Sequence, residues 1–109
     1  MLPPQHRINR GDDFRRILRS GVKSRSAVGT IALAPSSGPF RLGVIASKAV
    51  GGAVVRNRVK RTIRAAARER ADALEGWDIV VRCSEDSGAA SFHEVLSFID
   101  SALAKAKQT

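Results

Sequence analysis

Asn57, Arg61, Arg64 and Arg68 recur at i, i+4, i+7 and i+11, the spacing that lines four side chains along one stripe of an α-helix. Guanidinium forks and an amide in such a row match phosphate oxygens, so the chemistry on offer is the binding of a polyanion. Lys60 flanks the stripe, and Arg56 and Arg58 sit on the first turn of the same segment. Residues 53–70 hold seven basic side chains and one acid, Glu69. Like charges at i+3 and i+4 repel by about 0.2–0.5 kcal/mol per pair, so a merely solvated helix face ordinarily mixes signs. This one does not.

Side chains suited to covalent or metal chemistry are few. Cys83 ends an apolar run and His93 falls in the first turn of a helix, where structural or surface roles are the simpler assignment. One cysteine and two histidines cannot complete a structural zinc site. Glu85-Asp86 is an adjacent carboxylate pair in a loop, best read as facing solvent. Gly51-Gly52 precedes a helix, but its spacing matches neither the P-loop nor the dinucleotide fingerprint. No catalytic residue and no metal ligand is expected from the protein itself.

The chain of 109 residues, 43% apolar, suffices for one compact domain with a modest core. Nineteen Lys and Arg stand against ten Asp and Glu, a net charge of +9. Residues 1–70 carry sixteen basic and three acidic side chains, whereas residues 71–109 carry three basic and seven acidic. So lopsided a field calls for a polyanionic partner, and an Arg to Lys ratio of fourteen to five favours nucleic acid over a membrane surface. A lone cysteine fits a reducing compartment. The first residues lack the apolar core of a signal peptide, and no run approaches the roughly eighteen apolar residues of a membrane span. A cytoplasmic protein without a membrane partner is expected.

Several elements must position the stripe. Phe14, Ile17 and Leu18 predict a short helix over residues 12–19, stopped by Ser20-Gly21. Residues 22–34 suit one or two strands and residues 35–39 a turn. Residues 40–48 alternate as a strand, with Phe40, Leu42, Val44 and Ala46 on one face. The basic helix is expected over residues 53–74, burying Val55, Val59, Ile63, Ala66 and Leu74, with Gly76 just past its end. Trp77 anchors a short, β-branched central strand over residues 78–83, followed by a loop over 84–90. Ser91 and Glu94 form a capping box for a last helix that frays from residue 105. The order helix, two or three strands, long helix, strand, helix gives an α+β sandwich, a small sheet covered by helices. One domain over residues 1–109 is expected, with flexible ends at about 1–10 and 105–109.

Arg41-Leu-Gly-Val-Ile-Ala-Ser-Lys48, then Val50-Gly51, then Ala53-Val-Val-Arg-Asn-Arg-Val-Lys-Arg61 resembles the bacterial ribonuclease P protein family. Asp13-Phe14 with Gly21, Trp77-Asp-Ile-Val-Val81 and Ser91-Phe92 extend the likeness over nearly the whole chain. The resemblance implies a four-stranded sheet with three helices and a left-handed βαβ crossover, where general rules favour a right-handed one. It also implies the role. A catalytic RNA cleaves the 5′ leader from precursor tRNA with Mg²⁺, held mainly by that RNA, and the protein joins it as a monomer in a one-to-one complex. Arg56, Asn57, Arg58, Lys60, Arg61, Arg64, Arg68 and Lys48 would meet the RNA. A cleft on the sheet face beside the first helix would hold the single-stranded leader, lined by Phe14, Arg41 and Ser47. The chain departs from the family's pattern in having Ala49, Gly52 and Leu18 where a lysine, a lysine or asparagine, and a second aromatic are usual. That implies a leader grip that is weaker or made by other contacts. The rival readings are a ribosomal-RNA-binding or assembly protein using the same helix and a major-groove DNA binder, with a stand-alone nuclease last.

Overall fold

Period-two alternation of apolar residues builds the strands, and period 3.6 the helices, in the order α1 (Gly11–Ser20), β1 (Val22–Ser26), β2 (Gly29–Pro35), β3 (Arg41–Ile45), α2 (Ala53–Glu69), α3 (Ala71–Leu74), β4 (Trp77–Cys83) and α4 (Phe92–Lys107). This computed structural model describes residues 6–8 and 11–108. β1 and β2 form an antiparallel hairpin, β2 pairs antiparallel with β4, and β3 lies parallel on the far side of β4. The sheet order is therefore β1-β2-β4-β3, with β4 in the interior as its β-branched sequence predicts.

Each sheet face has its own core. Ile31, Leu33, Leu42, Ile79 and Val81 meet Val59, Ile63 and Ala66 of α2 and Val95, Phe98 and Ile99 of α4. The predicted apolar face of the basic helix is thus the one that packs. On the opposite face Ala32, Ala34 and Val80 receive Ile17 of α1, with Phe14, Leu18 and Ile45 at the margin. Ile17 is the single residue that α1 buries fully. Burial of one such side chain contributes about 1.5–3 kcal/mol, so α1 depends on further tethers. Its close approach also needs Gly43, where an added Cβ would lie 2.5 Å from the Phe14 ring.

Three boundaries differ from expectation. α2 stops at Glu69, because Arg70 leaves helical geometry (φ −107°, ψ 22°) while its guanidinium forks onto Asp100 of α4 at 2.8 and 3.2 Å. β3 ends at Ile45. Ser47 then caps a 3-10 turn over Lys48–Val50, its Oγ accepting from the Ala49 N–H at 3.3 Å. The loop after β4 is also a 3-10 turn, Glu85–Ala89. The capping box forms as read: the Glu94 N–H donates to Ser91 Oγ at 3.1 Å, and the Ser91 N–H to Glu94 Oε1 at 3.2 Å. Of the ends expected to be flexible, residues 1–5, 9–10 and 109 lie outside the described residues. Ile8 is buried and its N–H donates to the Leu42 carbonyl at 3.1 Å, while α4 stays helical through Lys107. Among the described residues no helix is long and apolar enough to cross a membrane.

Candidate nucleic-acid interface

With Val59, Ile63, Ala66 and Ala67 of α2 buried, its other side faces outward. Asn57, Arg61 and Arg68 are exposed, Arg64 is half-buried, and with Ala65 they line one shallow groove. The structure thus brings the whole predicted stripe together. Arg61, Arg64 and Arg68 have no carboxylate partner; the ion pairs of the described residues engage Arg15, Arg16, Arg41 and Arg70 instead. The first-turn cations stand apart from the stripe. Arg58 donates from Nη2 to the Gly88 carbonyl at 3.0 Å, which fastens the Glu85–Ala89 turn against α2. Arg56 is half-buried with its Nε enclosed and unpaired. Lys60 is half-buried close to Cys83, and Lys48 is exposed on the turn that leads into α2.

The opposite sheet face holds a second basic surface, which strand register creates. Arg25 pairs with Thr30, Thr30 with Arg82, and Arg82 with Ile45, so these four side chains form one row across all four strands. The next row on that face is Lys23, Ala32, Val80 and Gly43, and the third is Ala34, Asp78 and Arg41. Small residues in the second and third rows leave room for α1. The first row stays uncovered beside it. Arg15, Leu18 and Arg19 of α1 then form one wall, and Lys23, Arg25, Thr30 and Arg82 the floor and other wall, of a cleft of about 390 Å³. Five cations line it, and Arg15 alone has an ion-pair partner, Asp12. Arg82 lies level with Ile45, the last residue of β3, so the first row sits at the sheet end from which the chain passes through Lys48 into α2.

A cleft beside α1 was expected, but its lining differs from the residues named for it. Phe14 nests over Gly43 at the margin of the second core, Ser47 caps its turn, and neither lines the cleft. Arg41 is held by Asp78, accepted at 2.9 Å from Nε and 2.7 Å from Nη2, while Arg16 of α1 donates to the same carboxylate at 3.0 Å. Burial pushes the Asp78 pKa up, but hydrogen bonds from Arg41 and Arg16 and their charges outweigh it, leaving the carboxyl below its ordinary 3.8. A folded-state value below the unfolded one means fewer protons bound in the folded state, so this group's contribution rises with pH. It should be complete above pH 3.8 and disappear as pH falls through the lowered value. Urea melts across that acid range should show wild type losing more stability than Asp78→Asn.

Burial holds the Cys83 thiol above its ordinary pKa, against smaller opposing influences from Ser87 and Lys60, which suits packing and not nucleophilic attack. His93 is exposed, as are Glu85 and Asp86. Among the described residues no group of three or more His, Cys, Asp or Glu side chains converges as metal ligands would.

A family model described as Ribonuclease P matches residues 2–107. The ribonuclease P protein component of Beutenbergia cavernae is 42% identical, covering 94% of this chain and 89% of its own length. That of Kocuria rhizophila is 38% identical, covering 97% and 96%. The solved ribonuclease P protein of Staphylococcus aureus superposes with a TM-score of 0.80 at 27% identity, covering 94% of this chain and 95% of its own.

Proposed function

The chain belongs to the bacterial ribonuclease P protein family, and from that membership we propose that it meets the catalytic RNA through α2 and the single-stranded leader of precursor tRNA through the cleft on the other sheet face. It is the protein subunit of ribonuclease P, the endoribonuclease that removes the 5′ leader of precursor tRNA. One observation carries the division of labour: two sets of cations, mostly free of carboxylate partners, lie on opposite sheet faces. Asn57, Arg61, Arg64 and Arg68, with Lys48 and Lys60 nearby, serve the RNA. Arg56 and Arg58 serve that surface from the first turn, where Arg58 also steadies the adjoining loop. Arg15, Arg19, Lys23, Arg25 and Arg82 track the leader backbone, and Phe14 and Arg41 support that cleft from beneath α1.

The reading gives the protein no chemical step. Mg²⁺ prefers hard oxygen ligands and keeps much of its hydration. The acids nearest the cleft, Asp12, Asp13 and Asp78, are engaged by Arg15, Arg16 and Arg41, so the residues present do not fit a protein-held ion there. We assign the ion to RNA phosphates. Residues 1–109 act as one domain, one copy per RNA. The decisive experiment mixes the protein with a bacterial ribonuclease P RNA and precursor tRNA at near-physiological Mg²⁺ and follows leader removal against leader length. Stimulation that grows with the leader is expected. No stimulation over RNA alone, with cleavage indifferent to leader length, would sink the proposal.

A further inference from the structure

Asp78 lies on the cleft face, two rows away from Arg25 and Arg82, with 2% of its side chain exposed. A carboxylate buried so deeply is costly unless its oxygens are well matched. Here both oxygens are met, Oδ1 by Arg41 Nε and Oδ2 by Arg41 Nη2 and Arg16 Nη2. Arg41 belongs to β3, Asp78 to β4 and Arg16 to α1, so one carboxylate ties the helix to two parallel strands. Asp13 of α1 adds to the same cluster at 3.7 Å from both arginines. Ile17 is its only fully buried residue and Phe14 and Leu18 are only partly buried, so the apolar contact of α1 is thin and the ion-pair cluster takes a large share in fixing its angle over the sheet. That angle matters for the cleft. Arg15, Leu18 and Arg19 ride on α1, whereas Arg25 and Arg82 are fixed in strands.

We propose that Asp78 is a positioning residue for leader binding: through Arg16 and Arg41 it sets α1 against the sheet and holds the two walls of the cleft at working separation. The inference rests on the cleft's assignment to the leader. Charge alone predicts the opposite effect, since removing an acid from a +9 chain should strengthen RNA binding. A fall in leader affinity on losing Asp78 therefore reports geometry.

The test uses reconstituted holoenzyme carrying Asp78→Asn or Arg16→Gln, with precursor tRNA bearing either a long leader or a single-nucleotide leader. Both variants should bind the long-leader precursor about tenfold more weakly, the scale of one lost charge-assisted contact. Short-leader binding, kcat at saturation and the salt slope should not move. Asp78→Asn leaving leader affinity unchanged or raised overturns the inference, as does equal weakening of both precursors. Arg16→Gln keeps the Arg41–Asp78 pair and decides the matter if Asp78→Asn does not fold. A leader-specific loss at unchanged salt slope then supports positioning, whereas no loss, or a slope reduced by about one, overturns it, the latter by making Arg16 a phosphate contact. Arg25→Glu with Arg82→Glu runs alongside. If that pair too leaves leader affinity intact, the cleft assignment itself has failed, separately from the role of Asp78.

Discussion

Arg61→Glu combined with Arg64→Glu should weaken binding of the ribonuclease P RNA by about two orders of magnitude at moderate salt and leave the fold intact. Each phosphate neutralised by a cation adds roughly 0.7–0.9 to the slope of log affinity against log salt. Losing two such contacts should flatten that slope by about two, and the new carboxylates add repulsion. The folded state has no reason to object. Arg61 is exposed, Arg64 is half-buried, and neither is ion-paired. Glutamate is also a good helix former, and at position 64 it would stand four residues from both Lys60 and Arg68 in a helix otherwise crowded with like charge. Melting should occur at the wild-type temperature or slightly above. An unchanged salt slope would show that the stripe does not touch the RNA.

That stripe was legible because helical geometry assigns faces from spacing alone: once α2 exists, Asn57, Arg61, Arg64 and Arg68 must share a side, and Val59 and Ile63 must share another. The cleft obeys a different rule. Arg25, Thr30 and Arg82 stand abreast only because β1, β2 and β4 pair in one register, and that register joins residues more than fifty positions apart. Spacing carries no trace of it, although an arginine alternating with apolar neighbours in β4, as Arg82 does, is a signal that one face there is not buried. The residues that the resemblance implies for the leader are held by local contacts that spacing does not reveal. The missing Cβ of Gly43 lets the Phe14 ring settle on the sheet. Arg41 is claimed by Asp78, thirty-seven residues on. The break at Arg70 has no Gly or Pro to announce it and follows a contact with α4. The family resemblance, by contrast, identified the four-stranded sheet and the place of a cleft beside α1, which periodicity could not.

Arg25→Glu combined with Arg82→Glu should cost the holoenzyme most of the advantage that a leader gives. Both side chains are exposed and neither is ion-paired, so the substitutions change the cleft's charge without disturbing a core. They stand in the first row with only Thr30 between them, which places two cations along one short stretch of backbone. Reversing both should lower long-leader affinity by roughly tenfold or more and flatten its salt dependence by about one to two. Binding of a single-nucleotide-leader precursor and of the RNA subunit should stay at wild-type values, because α2 lies on the other sheet face. Leader sequence should matter little in either protein. Stacking of a base on an aromatic contributes about 1–3 kcal/mol in single-strand binders. The cleft offers Leu18 and Thr30 between its cations and has no aromatic in its lining. Phosphates are common to every sequence, so a grip through them is steep in salt and blind to bases. Affinities for leaders of equal length and different composition, measured at two salt concentrations, separate the two kinds of grip. A strong base preference would require a stacking partner, and Phe14 would have to leave its seat over Gly43 to provide one.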